Sequence, residues 1–259
     1  MWLGINTMNK ILIRNGIIDN VNNDNYCVNN NKIIFKRSGV YYLEYYGNMD
    51  VNLSILVDGG IDILLIETSF DNNLNVNNHY IIKEGKIKVN KFYCNKYVVE
   101  NIDIDLMNEN SKIDYYFSNI CLLEESYVIN INHMNKNTIS NISNKSVALN
   151  NSKLNFVINS NVGIGMDESV LDQNTRIITF GECDAKILPN MFIDIDNVVA
   201  KHGSVIGTVK EDMIFYLMSR GIDYNEALKL IIKGYLFSNG NFDYDLRSKI
   251  LKIINLYWR

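Results

Sequence analysis

A mainly β body over residues 20–208, preceded by a short segment 1–19 and followed by a small helical domain over 209–259, is the fold that this sequence predicts. Three observations predict it. Short segments rich in β-branched residues recur along the first two hundred residues, many alternating apolar and polar, as in Val51-Asn52-Leu53-Ser54-Ile55 and Ile102-Asp103-Ile104-Asp105-Leu106. That period of two is the signature of half-buried strands. No helix-length stretch with a 3.6-residue period interrupts them. After residue 210 the period changes to the helical one.

The strand-like segments fall at 33–35, 40–46, 51–57, 61–66, 97–106, 127–131, 153–158, 176–180, 191–195 and 198–199, separated by Asn, Asp, Ser and Gly. Many short, closely spaced strands fit a sandwich, a barrel or a parallel β-helix. Hairpin dipeptides are few. Asn15-Gly16 and Asn239-Gly240 are the Asn-Gly pairs, and Asp58-Gly59 is the one Asp-Gly. In a chain so rich in Asn this scarcity favours stacked coils over hairpins, although no fixed-length repeat is visible. Pro189 is the single proline.

Past residue 210, Met213, Ile214, Tyr216, Leu217 and Met218 precede Gly221. Asp223 with Glu226 reads as a capping box, in which the Asp oxygen accepts a backbone N–H and the Glu reaches back. The helix it opens carries Ala227, Leu228, Ile231, Ile232, Tyr235 and Leu236 on one stripe. A third helix, 245–257, carries Leu246, Ile250, Ile253, Ile254 and Tyr257. Three short helices cannot bury their stripes alone, so they must pack on the body or on a partner.

Composition narrows the function. Hydrophobic residues make up 47% and charged residues 21% of 259 residues, an ordinary globular balance. Net charge −4 argues against nucleic-acid or anionic-membrane partners, because both select a basic footprint. The longest apolar runs are too short to span a bilayer. Cys27, Cys94, Cys121 and Cys183 are scattered, with no Cys-x-x-Cys pair, and Met1-Trp2-Leu3-Gly4 lacks a secretory pattern. Reduced cysteines and a cytoplasmic location are the expectation. Asn is about one residue in six. An AT-rich coding bias accounts for that. Asn also suits tight turns and stacked ladders, because it tolerates the left-handed region and bonds its own backbone.

The chemistry-bearing groups are sparse. His79 and His133 read as exposed loop histidines. No zinc, calcium, phosphate-loop or nucleophile-elbow motif occurs, and Gly163-Ile164-Gly165 lacks the third glycine of a dinucleotide site. The acidic pairs Asp103/Asp105 and Asp194/Asp196 lie two apart on strand-like stretches, which places each pair on one solvent face. A carbohydrate-active β-helix enzyme would use such carboxylates. It stands as the alternative, beside a purely structural interaction module.

Residues 196–237 read DNVVAKHGSVIGTVKEDMIFYLMSRGIDYNEALKLIIKGYLF. This stretch resembles the C-terminal signature of the SufB/SufD family of iron–sulfur cluster assembly scaffolds. The matching positions are His202-Gly203-Ser204, Gly207, Glu211-Asp212, Phe215-Tyr216-Leu217, Ser219-Arg220-Gly221-Ile222 and Glu226-Ala227. Asp172-Gln173-Asn174 and the strand after Pro189 also fit. Upstream of about residue 140 the match is architectural.

The resemblance implies a right-handed parallel β-helix followed by the helical domain, and a non-catalytic scaffold role. It implies pairing with a SufB-like paralogue or a second copy, and docking of a SufC-like ABC ATPase on the helices. It also implies a transient iron–sulfur cluster or iron at the subunit interface. SufB members carry a cysteine where Asn174 stands and a glutamate where Gly203 stands, so this chain is closer to SufD, with Lys201 replacing the usual Ser. Family members carry a long helical N-terminal domain, whereas strand-like segments here begin almost at once, as in a minimal variant. His202 is the candidate cluster or iron ligand, since imidazole is a borderline ligand that suits iron. Cys183 is a second candidate, set against a structural role as an inward-facing thiol. Phe215, Arg220, Tyr235 and Phe237 are the candidate partner-binding residues.

Overall fold

The computed structural model describes residues 9–19 and 22–258. Strands begin with β1 (Asn9–Arg14), β2 (Ile17–Ile18), β3 (Tyr26–Asn29), β4 (Lys32–Phe35), β5 (Gly39–Tyr46) and β6 (Met49–Val57). Ten-residue strands follow as β7 (Ile61–Phe70), β8 (Asn73–Ile82), β9 (Gly85–Cys94), β10 (Tyr97–Leu106), β11 (Lys112–Cys121), β12 (Glu124–His133), β13 (Ile139–Ala148) and β14 (Lys153–Val162). The last three are β15 (Ser169–Thr179), β16 (Asp184–Ile193) and β17 (Val198–Gly207). β1 begins at Asn9, inside the stretch 1–19 that the sequence sets before the body.

From β5 onward, odd strands pair in parallel in one sheet and even strands in the other, each strand beside the one two places on. This is a parallel β-helix whose coils flatten into two facing sheets. Period two does the work: in β8, Leu74, Val76, Asn78, Tyr80 and Ile82 are buried, while Asn73, Asn75 and Asn77 face solvent. The inward residues of successive coils stack into one core.

No repeat is legible because the coil length drifts. Ile61 lies beside Gly85 but Ile139 lies beside Val170, so the coil grows from 24 to 31 residues. At one corner Gly85 takes φ +116, and a Cβ there would meet the Ile61 carbonyl oxygen at 2.2 Å.

Asn is used in both ways that its chemistry suggests. Among the described residues, six of the eight non-glycine residues with positive φ are Asn. On the outer face of the even sheet the amides form ladders. Asn130 donates to Asp103 at 2.8 Å, Asn159 to Asn130 at 2.8 Å and Asn190 to Asn159 at 2.8 Å.

The N-terminal end is closed by antiparallel hairpins. Asn15-Gly16, at φ 50 and 80, turns β1 into β2, and Asn30-Asn31, at φ 47 and 60, turns β3 into β4. Positive φ at both turn residues is what a tight hairpin with the twist of its strands requires.

The chain ends in α1 (Glu211–Met218), α2 (Tyr224–Phe237) and α3 (Tyr244–Tyr257). Asp223 caps α2 by accepting from the N–H groups of Asn225 and Glu226. The Glu226 carboxylate turns to Lys229 at 2.6 Å, an i,i+3 partner on its own helix. The stripes settle on the body. Ile214, Leu228, Ile232, Leu236, Leu246, Ile250 and Ile254 pack with Ile66, Phe92, Ile120 and Val147 of the odd sheet's outer face. β7, β9, β11 and β13 are thus covered on both faces along their C-terminal halves.

Candidate functional site

The last coil differs from every coil before it. β16 ends the even sheet and β17 ends the odd sheet, each with no strand beyond it. Their inward registers continue the buried columns. Gln173 stands beside His202, Thr175 beside Ser204 and Ile177 beside Ile206, while Ile158 stands beside Pro189. Gln173 and Thr175 are buried and His202 and Ser204 are exposed, because no further coil covers them. The mouth of the solenoid is therefore an apolar floor with one imidazole and one hydroxyl. Its outer rim adds Leu188 and Phe192, each more than half exposed.

The two open edges are unequal. Asp184 and Asp194 donate their N–H groups to Ser152 and Val162, so the even-numbered backbone groups of β16 point to β14 and the odd ones to the open edge. Pro189 is odd, so the missing N–H falls on the open side and costs the sheet nothing. On β17 the alternation is opposite. Val170 bonds back to Thr138 and the Gly207 carbonyl accepts from Thr179 Oγ1 at 3.4 Å, which leaves the N–H and C=O groups of Ala200, His202 and Ser204 facing outward. The β17 edge is a complete template for an added strand, and the β16 edge is interrupted at its centre.

The structure does not bring the two metal candidates together. Cys183 lies at the corner between β15 and β16, where its S–H reaches the carbonyls of Leu149 at 3.2 Å and Phe180 at 3.3 Å and the thiol packs on the core. That corner adjoins Gly207, and His202 is five residues back along β17, roughly 16 Å away at strand rise. Among the described residues no three His, Cys, Asp or Glu side chains converge as a metal-binding group.

The partner-binding candidates separate likewise. Phe215 on α1 is 72% exposed, flanked by exposed Met213, Tyr216 and Met218. Arg220 lies over the Tyr216 ring at 5.5 Å. Tyr235 is held against the body, its hydroxyl donating to the Arg176 carbonyl at 2.6 Å. Phe237 packs edge-on to Phe242 at 6.3 Å with Arg247 at 5.6 Å over its ring. Trp258 is buried against Phe180. Tyr235 and Trp258 are thus spent on the solenoid, whereas Phe215 and Tyr216 on α1, Tyr224 on α2 and Tyr244 on α3 stay exposed.

Both remaining histidines lie on strands, not in loops. His133 ends the inward register of β12, is 4% exposed, and bonds Thr138 at 2.7 Å and Ser140 at 2.9 Å, with burial pulling its pKa down to about 4. Alternation from Ile129 and Ile131 already points it inward; its Asn-rich neighbours hide that signal. His79 meets Asp105 at 2.7 Å on the outer face of the even sheet. Asp103 and Asp105 are occupied by the amide ladders and by His79.

The sequence does not advertise a charge cluster inside the solenoid. Lys91 Nζ lies 3.0 Å from Glu67 Oε1 and 2.5 Å from Glu100 Oε1, with all three side chains fully buried. Tyr80 and Tyr93 donate to Glu67, and Asn78 donates to Glu100. One coil on, Glu125 accepts from Tyr127 at 2.9 Å and from Asn119. Burial pushes Glu125 up to about 8 and Glu100 up to about 7, the latter against the pull of Lys91. Glu67 follows Ile63 and Leu65 on one face of β7, so register was the available signal.

A family model described as the SUF system FeS cluster assembly SufBD core domain matches residues 44–235, from β5 through most of α2. The chain belongs to the SufBD core-domain family. Similar curated proteins include an iron–sulfur cluster assembly SufBD family protein of Pyrococcus horikoshii, 32% identical over 95 residues, which cover 30% of this chain and 21% of that protein. The iron–sulfur cluster assembly protein SufD of Bacillus subtilis is 36% identical over 73 residues, 28% of this chain and 17% of that protein. The chain thus spans about a fifth of the length of these SufBD relatives. Among the described residues no helix is long and apolar enough to cross a membrane.

Proposed function

We propose that this SufBD-family chain is a non-catalytic, SufD-like scaffold for iron–sulfur cluster assembly in the cytoplasm. It pairs end to end through its last coil, with a second copy or a SufB-like subunit, and docks a SufC-like ATPase on its C-terminal helices. The cluster or iron is cargo held between subunits, with His202 as this chain's contribution and the remaining ligands from the partner. Cys183, turned into the core, serves as a packed thiol.

The observation that carries this reading is the asymmetry of the two ends. Hairpins close the first coil, whereas the last leaves an apolar mouth, a complete strand edge on β17 and one imidazole uncovered. An open edge invites another strand unless it is blunted, and β17 carries no proline. Contiguous apolar surface of this kind marks protein interfaces, and the exposed face of α1 supplies a second one for the ATPase.

The test is co-expression of the chain with a SufC-like ATPase, with and without a SufB-like subunit. Complex mass and bound iron and sulfide are then measured. A chain that stays monomeric and metal-free in every combination would end this reading.

A further inference from the structure

A groove of about 750 Å3 runs between the outer face of the last odd strands and helices α1 and α2. Val205, Val209, Met213, Leu217, Leu230 and Ile231 make it largely apolar. Its charged residues are Lys145, Arg176 and Lys210, and no carboxylate lines it. Register explains two of the cations. Lys145 stands beside Arg176 on neighbouring strands, and Arg176 beside Val205, so they form one column facing α2. Among the described residues, the ion pairs do not include any of the three. Lys145 is half-buried, donates to Ser238 Oγ at 2.6 Å and lies 5.5 Å from the Tyr235 ring. Burial first and Arg176 second disfavour its charged form. In a chain of net charge −4, three cations without a carboxylate partner around one apolar trough are complementary to an anion with an apolar body.

We propose that this groove binds a linear amphiphilic carboxylate, such as a medium-chain fatty acid. The acyl chain lies along the Val205, Leu217 and Ile231 wall, and the carboxylate meets Lys145, Arg176 and Lys210. The anion supplies the partner those cations lack, and the chain covers apolar side chains now open to water. Gly234 of α2 forms part of the trough, and a Cβ there meets nothing within 4 Å, so the floor is open at that point. The site is separate from the mouth at His202 and does not depend on the scaffold reading.

The test is a fluorescence titration of the full chain with 11-(dansylamino)undecanoic acid, followed by competition with dodecanoate and with dodecyltrimethylammonium. Saturable binding, displaced by dodecanoate and not by the cationic amphiphile, is expected. Gly234→Leu fills the trough and should abolish binding with circular dichroism unchanged. Arg176→Gln with Lys210→Gln should weaken binding about tenfold or more, as loss of charged hydrogen bonds predicts, and decides the matter if the leucine variant does not fold. Absence of saturable binding, equal displacement by both amphiphiles, or full binding by the folded variants overturns the proposal and leaves the groove to a protein partner.

Discussion

Lys91 and Glu100 meet inside the solenoid, Nζ to Oε1 at 2.5 Å, with no part of either side chain exposed. Lys91 also pairs with Glu67 on the neighbouring strand, so one cation holds two carboxylates in a core dominated by aliphatic and aromatic side chains. Such a triad stabilises only while complete, because each member has been taken out of water.

Lys91→Met is therefore expected to cost about 3–5 kcal/mol, since it leaves two buried carboxylates facing each other without a cation. Urea denaturation at pH 7 measures it. A loss below 1 kcal/mol would mean that the triad is not buried as described.

Stability should fall as pH rises through neutrality. Glu125 and Glu100 have folded pKa values raised to about 8 and about 7, above their unfolded value near 4.5. A raised folded pKa contributes stability that is full below the unfolded value and is lost on rising through the folded one. The window is thus pH 4.5 to 8. Facing Glu125 are Tyr127, Asn119, Cys121 and, further off, Glu100, none of them a cation. Glu125→Gln should flatten the curve and be the more stable protein at pH 9. Equal slopes for both proteins would refute the assignment.

Ser204 and Val205 are neighbours on β17 with opposite backbone directions. Ser204→Pro removes an N–H that points to the open edge, so the chain should keep its melting temperature and lose pairing. Val205→Pro removes a bond to β15 and should cost about 3 kcal/mol. Analytical ultracentrifugation beside thermal melts separates them. A Ser204→Pro dimer as tight as wild type would exclude the β17 edge.

Replacing His202 with Ala should leave folding intact, because the side chain is exposed and contributes little burial. Iron and sulfide bound by the reconstituted complex should drop sharply, since one coordination position is left open to water. Full cluster loading by the alanine variant would remove His202 from the ligand set. If His202 is instead a hydrogen-bonded strut, His202→Gln keeps the cluster and changes dimer mass.

Deleting 211–259 is a poor test of ATPase docking, because it strips the cover from Ile66, Phe92, Ile120 and Val147. Phe215→Glu is the better one. The side chain is 72% exposed, so the variant should melt within about 0.5 kcal/mol of wild type. Co-purification with the ATPase should be lost, and its retention would move the docking site off α1.

The all-β body, the change of period near residue 210 and the family signature were legible because each is written in local spacing. Alternation around Asn52 and Asp103 marks strands, the Asp223 cap marks a helix start, and residues 202–227 carry the family pattern in contiguous order. The coil repeat was not legible, since corners of unequal length absorb insertions that leave strand register unchanged. The burial of His133 is masked in the sequence because its Asn neighbours look like loop, although on this solenoid Asn130 and Asn132 are rungs of a ladder.

By itself the sequence determined which residues alternate, where the helices start, and that His202 lies on the last strand beside Gly203. Only the tertiary structure decided that Glu67, Lys91 and Glu100 share one interior, that Cys183 turns into the core far from His202, and that Trp258 and Tyr235 cover the body. The reason is physical. Alternation assigns a residue to a face, but the partner it meets there is set by which coil stacks on which, and that register spans 24 to 31 residues of chain.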